Sequence, residues 1–434
     1  MIVDEYLELT RMSRREEHLR SEVDRLRGSF SFQFGNLFVR AIERPLTLPL
    51  LPFNIILFLI KRIKKPEKTQ DSIQKITRNC VVGYSAESTR GIHFDRMEII
   101  LRELRTRGIQ TVHVTNDRRA IVREKENFHS IYTIPPRSNF DDMIPRTWNK
   151  KLEAIFSGIL DTFHPRTMIF DGDYPFRGVL NAIALRPEMN RFWVRESLLN
   201  FKISSLPIDS FDEFDAIIHP SLTRRDDPDT LIGQSGTIFC NPIMGEPLKL
   251  KTIDSLKVRM NLEGEKIVFV QLSNSINNEE IFETLLLEED IRILCYHTKV
   301  PNSFKHHKNV TRYHDISTNE AIQLSDICFI SPDFFNLYST LKNGKPTMCI
   351  VESKQHLDAI SREFGQENIP IVFIEGENDS RYISDGMTRL NDEAFQHQLK
   401  ERMRGIDLPN GAPELCNFIF EMHELNQISM DSTG

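Results

Sequence analysis

Two carboxylates stand where an apolar run ends: residues 167–170 (Thr-Met-Ile-Phe) are followed by Asp171, Gly172 and Asp173. Such a run predicts a buried strand, so both carboxylates are expected at the rim of a sheet. Their oxygens would suit a hard divalent cation. The alternative that we favour needs no metal: one carboxylate faces a cleft, where it contacts a substrate or takes a proton, and the other caps the following helix.

A second polar rim is predicted further along the chain. Residues 327–331 form a short apolar run that ends in Ser-Pro-Asp, and Asp333 can cap the next helix. Gly344 is expected to end that helix, and residues 347–351 form the next strand. In a doubly wound sheet, ligands bind outside the carboxyl ends of the strands, and helix N-termini there favour phosphate. The pattern therefore predicts a ligand rim after each of these strands.

These rims belong to a longer alternation of strands and helices, from residue 79 to about 375. A polar stretch over 224–233 reads as a linker. We therefore predict an α/β protein in which two Rossmann-like domains, over 79–223 and 236–413, face a cleft. Residues 414–434 would form a C-terminal helix and tail, with the helix crossing back onto the first domain.

Composition narrows the class of protein. The chain has 434 residues, of which 40% are hydrophobic and 27% are charged, so it can bury sizeable cores. A net charge of −7 argues against a general nucleic-acid binder. The six cysteines are spread singly without metal-ligand spacing, which is typical of reduced thiols in a cytosolic protein. No cleavable signal peptide is recognisable.

The N-terminal region has two unusual segments. Residues 1–29 are charged and helix-forming, with an apolar seam that predicts a coiled coil joining two chains in a homodimer. The alternative is a solvated helix on its own domain. Residues 30–68 form an apolar arm with a basic end. Its uncharged run over 45–60 is too short to span a bilayer as a helix, so the arm is predicted to lie on the cytoplasmic face of the membrane. The alternative is packing against the protein itself or a twin subunit.

The second rim resembles the donor half of GT-B glycosyltransferases of the MurG and UDP-glycosyltransferase kind, a type found in bacterial surface-polysaccharide synthesis. Gly344, Pro346 and Gln355 match that family, and Asp358 stands at its Asn-Ala position. The family's His-Gly-Gly loop is Ser-Pro-Asp here, and its ribose-binding glutamate aligns with Ser339. The resemblance implies a set of donor-binding residues: Ser273, Asn274, Ser331, Asn336, Ser339, Gly344, Gln355 and Asp358.

Residues 91–108 likewise resemble the acceptor half of these enzymes, which carries a glycine and a histidine before a leucine-containing helix. The resemblance implies that His93 activates the acceptor hydroxyl or steadies the phosphate. Asp171 and Asp173, which follow the strand at 167–170, are further catalytic candidates. The resemblance also implies that Gly91, Arg96 and Tyr174 bind the acceptor.

The expected function is therefore transfer of a sugar from a nucleotide-sugar, in the family usually UDP-linked, to a lipid-linked or polysaccharide acceptor at the membrane surface. The resemblance implies no metal or other cofactor. Two alternatives stay open: a glycerophosphotransferase of the teichoic-acid type, and an inactive GT-B scaffold.

Overall fold

Two parallel β-sheets organise the part of the chain that the computed structural model describes. Both lie within residues 77–434, which form one unit. The predicted coiled coil over 1–29, the arm over 30–68 and the linker over 224–233 lie outside the described residues. Those residues are 79–87, 91–117, 119–120, 130–140, 142–186, 189–195, 210, 213–221, 236–262, 266–273, 278–288, 290–295, 298, 300–313, 316–351, 354, 357–358, 360–361, 371–373, 380–404 and 408–431.

The first sheet has the strand order β3-β2-β1-β4-β5-β6-β7, and all its neighbours are parallel. Helices cover its faces. The elements of this half are β1 (Cys80–Ser85), α1 (Ile92–Thr106), β2 (Gln110–Thr115), β3 (Ser130–Thr133), α2 (Pro145–Phe163), β4 (Thr167–Asp171), α3 (Arg177–Ala184), β5 (Asn190–Val194), β6 (Ala216–Pro220) and β7 (Gly236–Cys240).

The second sheet has the order β10-β9-β8-β11-β12-β13, again parallel throughout. Its half comprises α4 (Leu250–Arg259), β8 (Lys266–Gln271), α5 (Asn278–Leu286), β9 (Ile291–Cys295), β10 (Val310–Arg312), α6 (Thr318–Leu324), β11 (Ile327–Ile330), α7 (Phe334–Lys342), β12 (Thr347–Val351), β13 (Ile371–Phe373), α8 (Ser380–Asn391) and α9 (Glu393–Arg404). A last helix, α10 (Gly411–Asp431), follows them.

The sequence explains why these strands form. β1 and β4 are buried along their whole length, as expected for parallel strands covered by helices on both faces. In each sheet the strand order reverses between the first and fourth strands, β1 and β4 in one and β8 and β11 in the other. A ligand crevice is expected at each reversal. The prediction of an α/β protein with two Rossmann-like sheets is confirmed.

The allocation of β7 is corrected by the structure. We expected Gly236 to open the second domain, but β7 pairs with β6 in the first sheet, with Ala216 opposite Gly236. Pairing with β7 covers an edge of β6 that would otherwise leave backbone groups unpaired. A short apolar strand carries no information about which sheet it joins, so the sequence alone could not place it.

Helix α10 returns to the first half, as expected. Leu415, Cys416 and Ile419 are buried in the apolar cluster that includes Ile100 of α1. The turn into α10 is close-packed: a Cβ on Gly411 would lie 1.7 Å from the carbonyl oxygen of Asn241. The start of this helix is therefore fixed directly beside the segment that follows β7.

Candidate active site

His93 lies in the first turn of α1, which begins at a left-handed residue. Gly91 is the N-cap of the helix, with a φ of 70° that favours glycine. We expected Gly91 to bind an acceptor, and its observed part is to form this turn. The turn follows β1 and buries the imidazole, which is 1% exposed.

Asp171 is the catalytic candidate that His93 contacts. It ends β4, in register with Ser85 at the end of β1, so it lies at the strand-order reversal of the first sheet. Its Oδ1 lies 2.9 Å from Nδ1 of His93. Arg96, one turn further along α1, donates to both carboxylate oxygens, from Nε at 2.8 Å and from Nη2 at 2.6 Å. The structure thus joins three predicted site residues into one buried group.

The charges of this group reinforce one another. Burial alone would lower the pKa of His93, but its hydrogen bond to Asp171 and the charges of Asp171 and Asp173 raise that pKa above the usual histidine value. Burial alone would raise the pKa of Asp171, but Arg96 and His93 hold that pKa below the usual carboxyl range. Asp171 is therefore ionised at neutral pH, and it accepts the Nδ1 proton of His93. We had given Arg96 an acceptor contact, whereas its guanidinium binds Asp171.

Asp173 and Tyr174 form the exposed side of the group. Asp173 is 50% exposed and its Oδ1 lies 3.7 Å from Nε2 of His93. Tyr174 is 55% exposed. Asp171 is fully buried and bonded to Arg96 and His93, so the two carboxylates do not act as an open pair. Within the described ranges, no group of three or more histidine, cysteine or acidic side chains could hold a metal ion.

A second buried histidine lies nearby and was not predicted. His113 of β2 is hydrogen-bonded through Nε2 to Ser85 Oγ at 2.9 Å, and Ser85 donates to Thr115 Oγ1 at 2.7 Å. Burial lowers the pKa of His113 to about 3, although Asp117 and Asp171 act in the opposite direction. His113 is therefore neutral, and the pKa directions separate its behaviour from that of His93. Its strand-interior position gave no sequence signal for a site.

The second half has its own polar group at the corresponding reversal, between β8 and β11. Asp333 caps α7, as predicted, because its Oδ1 accepts the backbone amide of Asn336 at 2.7 Å. The Asn336 side chain donates to Gln271 at 2.8 Å and to Asp333 at 2.7 Å. Ser331 Oγ accepts the amide of Ser273 at 2.7 Å. Of these residues only Ser273 is partly exposed, and the other four are buried.

The remaining donor-binding predictions are not brought together. Ser339 is fully buried on α7. Gly344 has a φ of 60° and ends the same helix, so it lies about 12 Å from the first turn by helical rise. Asp358 is helical and exposed. Asn274 and Gln355 lie outside the described residues.

An apolar pocket opens at the start of α2. It has a volume of about 450 Å³ and is lined by Phe140, Asp142, Met143, Ile144 and Thr147. The segment before it leaves the carboxyl end of β3, where the Ile134 amide donates to the carbonyl of Thr115 at the end of neighbouring β2. The pocket therefore follows the same edge of the first sheet as His93. Sequence reasoning missed it, because the stretch over 116–166 was not interpreted.

Comparisons with known proteins give matches at the level of structure. No family model and no curated protein sequence matches the chain. The crystal structure of the glycotransferase of kitacinnamycin superposes with a TM-score of 0.51 and 12% identity, covering 79% of this chain and 98% of that one. The spinosyn forosaminyltransferase SpnP gives a TM-score of 0.50 and 10% identity, with 79% and 99% covered. The chain has the GT-B fold.

A third solved structure with a similar fold is described as an enzyme of another reaction type. It is a putative UDP-N-acetylglucosamine 2-epimerase from Listeria monocytogenes, with a TM-score of 0.51, 10% identity, and coverage of 79% of this chain and 94% of that one. The GT-B fold thus carries more than one reaction, and the choice between reactions depends on the site.

No helix in the described part of the chain is long and apolar enough to cross a membrane.

Proposed function

We propose that the protein is a glycosyltransferase that moves a sugar from a nucleotide-sugar to a hydroxyl acceptor, with His93 as the general base. The observation that carries this proposal is the buried pair of His93 and Asp171 at the strand-order reversal of the first sheet. A buried histidine held by an ionised carboxylate is suited to proton transfer near neutral pH.

The geometry gives each side chain of the pair a separate task. Asp171 accepts the Nδ1 proton, so in the neutral imidazole Nε2 is the nitrogen that can accept a proton, and half-exposed Asp173 lies 3.7 Å from it. An acceptor hydroxyl arriving beside Asp173 would give its proton to Nε2 as the oxygen attacks the sugar. Asp171 then stabilises the imidazolium, and Arg96 keeps Asp171 ionised.

The donor is proposed to bind at the reversal of the second sheet. A diphosphate is favoured near the N-terminus of a helix, and α7 begins there. Asp333 already caps this helix with a carboxylate, so the diphosphate has to approach beside a negative charge. Ser273 at this rim is partly exposed and would lie beside the diphosphate. No metal is needed in this scheme, because the helix terminus and polar side chains would stabilise the leaving diphosphate.

For the acceptor we propose a lipid-linked or polysaccharide molecule at the cytoplasmic face of a membrane. The apolar pocket beside Phe140 and Ile144 can take an apolar group on the same sheet edge as the base. The basic apolar arm over 30–68 supplies the proposed membrane contact.

A second candidate function is a GT-B scaffold without transferase activity. It is favoured by the complete burial of Ser331, Asn336 and Ser339, which leaves their side chains inside the second half. The glycerophosphotransferase alternative shares the fold and the arm and differs in its donor.

Nucleotide binding separates these functions. A ligand that binds the folded state raises the unfolding temperature, by an amount that grows with its concentration over Kd. We expect UDP and a UDP-sugar to stabilise the full chain in a thermal unfolding assay at millimolar ligand. Stabilisation by CDP-glycerol alone would assign the glycerophosphotransferase reaction. If no nucleotide shifts the unfolding temperature, the transferase function is refuted and the scaffold function is favoured.

A further inference from the structure

Helix α1 carries another buried carboxylate, two residues after His93. Asp95 is 2% exposed, and its carboxylate lies 2.9 and 3.0 Å from Nη1 of Arg119. Oδ2 of Asp95 also accepts the backbone amide of Thr318 at 3.0 Å. Thr318 is the first residue of α6, in the second half of the molecule. One side chain on the helix of the base therefore joins both halves.

Arg119 ties the same helical turn from the other side. Its Nη2 donates to the carbonyl of Gly91 at 2.5 Å and to Asp117 at 3.0 Å, and its guanidinium lies 4.9 Å from the ring centre of Phe94. His93 stands between Gly91 and Asp95, the two points on α1 that Arg119 holds. The position of the imidazole is thus set by contacts that flank it in the sequence.

In the described part of the chain, two features of the second half lie against α1. One is the Thr318 amide, which donates to Asp95. The other is Phe335 of α7, which is buried in the same apolar cluster as Ile92. A change in the position of α6 and α7 relative to the first sheet must therefore break the amide bond to Asp95 or move the turn that carries His93.

We propose that Asp95 is a positioning residue that couples the placement of the second half to the alignment of His93 with Asp171. The inference rests on the proposed function in one respect, that His93 is the base. Its physical basis is that Asp95 is buried, so water does not replace the Thr318 amide if that bond breaks. The bond therefore fixes the position of α6 relative to the first turn of α1.

Two substitutions at Thr318 isolate the amide. Thr318→Pro removes the N–H and places the ring where Asp95 Oδ2 now lies. Proline suits the first position of a helix, and Ser317 before it has φ −73° and ψ 160°, which a residue preceding proline adopts readily. Thr318→Val is the matched control: it keeps the amide and removes a hydroxyl that has no hydrogen-bond partner among the described residues.

The first readout is independent of activity. The Nδ1 proton of His93, bonded to Asp171, should give a downfield proton resonance in the full-length protein, which His93→Gln identifies by its loss. We expect this resonance to persist in Thr318→Val and to broaden or shift upfield in Thr318→Pro. Circular dichroism establishes that both variants are folded.

The second readout is kinetic. We expect Thr318→Pro to lower kcat roughly 10- to 100-fold with the donor KM within about twofold, because misalignment of a base affects the chemical step. If Thr318→Pro does not fold, Asp95→Asn replaces it. This variant weakens the bond from the Thr318 amide and also removes the charge paired with Arg119, so we expect a change in the same direction that is at least as large.

The outcomes separate the two proposals. An unchanged His93 resonance in folded Thr318→Pro, or in Asp95→Asn if that variant replaces it, refutes the coupling whatever the activity. Absence of transferase activity in the wild type refutes the proposed function, and the resonance then still decides whether the halves are coupled.

Discussion

Replacing Asp171 with asparagine tests the pairing that defines the candidate site. The side chain keeps its size but loses its charge, so Arg96 and His93 both lose the ionised Asp171 carboxylate that each of them contacts. Breaking a buried ion pair from one side typically costs about 3–5 kcal/mol of folding stability. For catalysis, loss of the oriented and charged partner of a general base is expected to lower kcat by roughly 10²- to 10⁴-fold.

The pH dependence gives the sign of the effect. In the wild type the hydrogen bond and charge of Asp171 raise the pKa of His93, and kcat/KM falls as the pH drops through that pKa because the base becomes protonated. Removing the carboxylate lets burial dominate, which lowers the pKa. The acid limb of the profile should therefore move to lower pH in Asp171→Asn.

The assay is nucleoside diphosphate release from the nucleotide-sugar that stabilises the protein, measured from pH 5 to 9. Asp173→Asn is the matched control, because this half-exposed carboxylate lies 3.7 Å from the imidazole and bonds neither Nδ1 nor Arg96. We expect the control to lose less than about tenfold. An Asp171→Asn variant with kcat within threefold of the wild type, and with an unmoved acid limb, would refute the reasoning.

Three further substitutions test other parts of the account. Asp333→Asn keeps an oxygen for the Asn336 amide but removes a negative charge, so we expect tighter UDP binding by calorimetry; unchanged or weaker binding would argue against a diphosphate at α7. Ser339→Ala removes a buried hydroxyl without a hydrogen-bond partner in the described structure, and urea unfolding should show equal or greater stability; a loss above about 1 kcal/mol would contradict this. Gly178→Ala would place a Cβ 2.3 Å from the carbonyl oxygen of Asn149, so we expect a loss of about 1–3 kcal/mol; a neutral result would mean that α2 and α3 separate without cost.

The sequence predicted the central strands of each sheet better than the edge strand β3 and the helix α2. Continuous apolar runs such as β1 and β11 mark buried parallel strands, and their loops mark the rims. The long helix α2 was missed although Pro145 opens it and Trp148, Leu152 and Phe156 recur at a spacing of four. The edge strand β3 carried too little signal, because it is four residues long and has no fully buried position.

The sequence predicted which residues belong to the candidate site but not which of them contact one another. His93 and Asp171 are 78 positions apart, and their pairing follows from the adjacency of β1 and β4, which local patterns do not reveal. For the same reason the sequence predicted that Arg96 contacts an acceptor, whereas in the structure it bonds Asp171. The bond from Asp95 to Thr318 spans 223 positions and depends on how the two halves meet.

The most direct test of the central claim compares the wild type with His93→Gln on a panel of nucleotide-sugars, with lipid-linked and polysaccharide acceptors present and released nucleoside diphosphate as the readout. We expect the wild type to release the diphosphate from at least one donor and the variant to do so at least roughly 100-fold more slowly, since glutamine fills the space without accepting a proton. Release by the variant at the wild-type rate would contradict the claim, as would the absence of release from every donor.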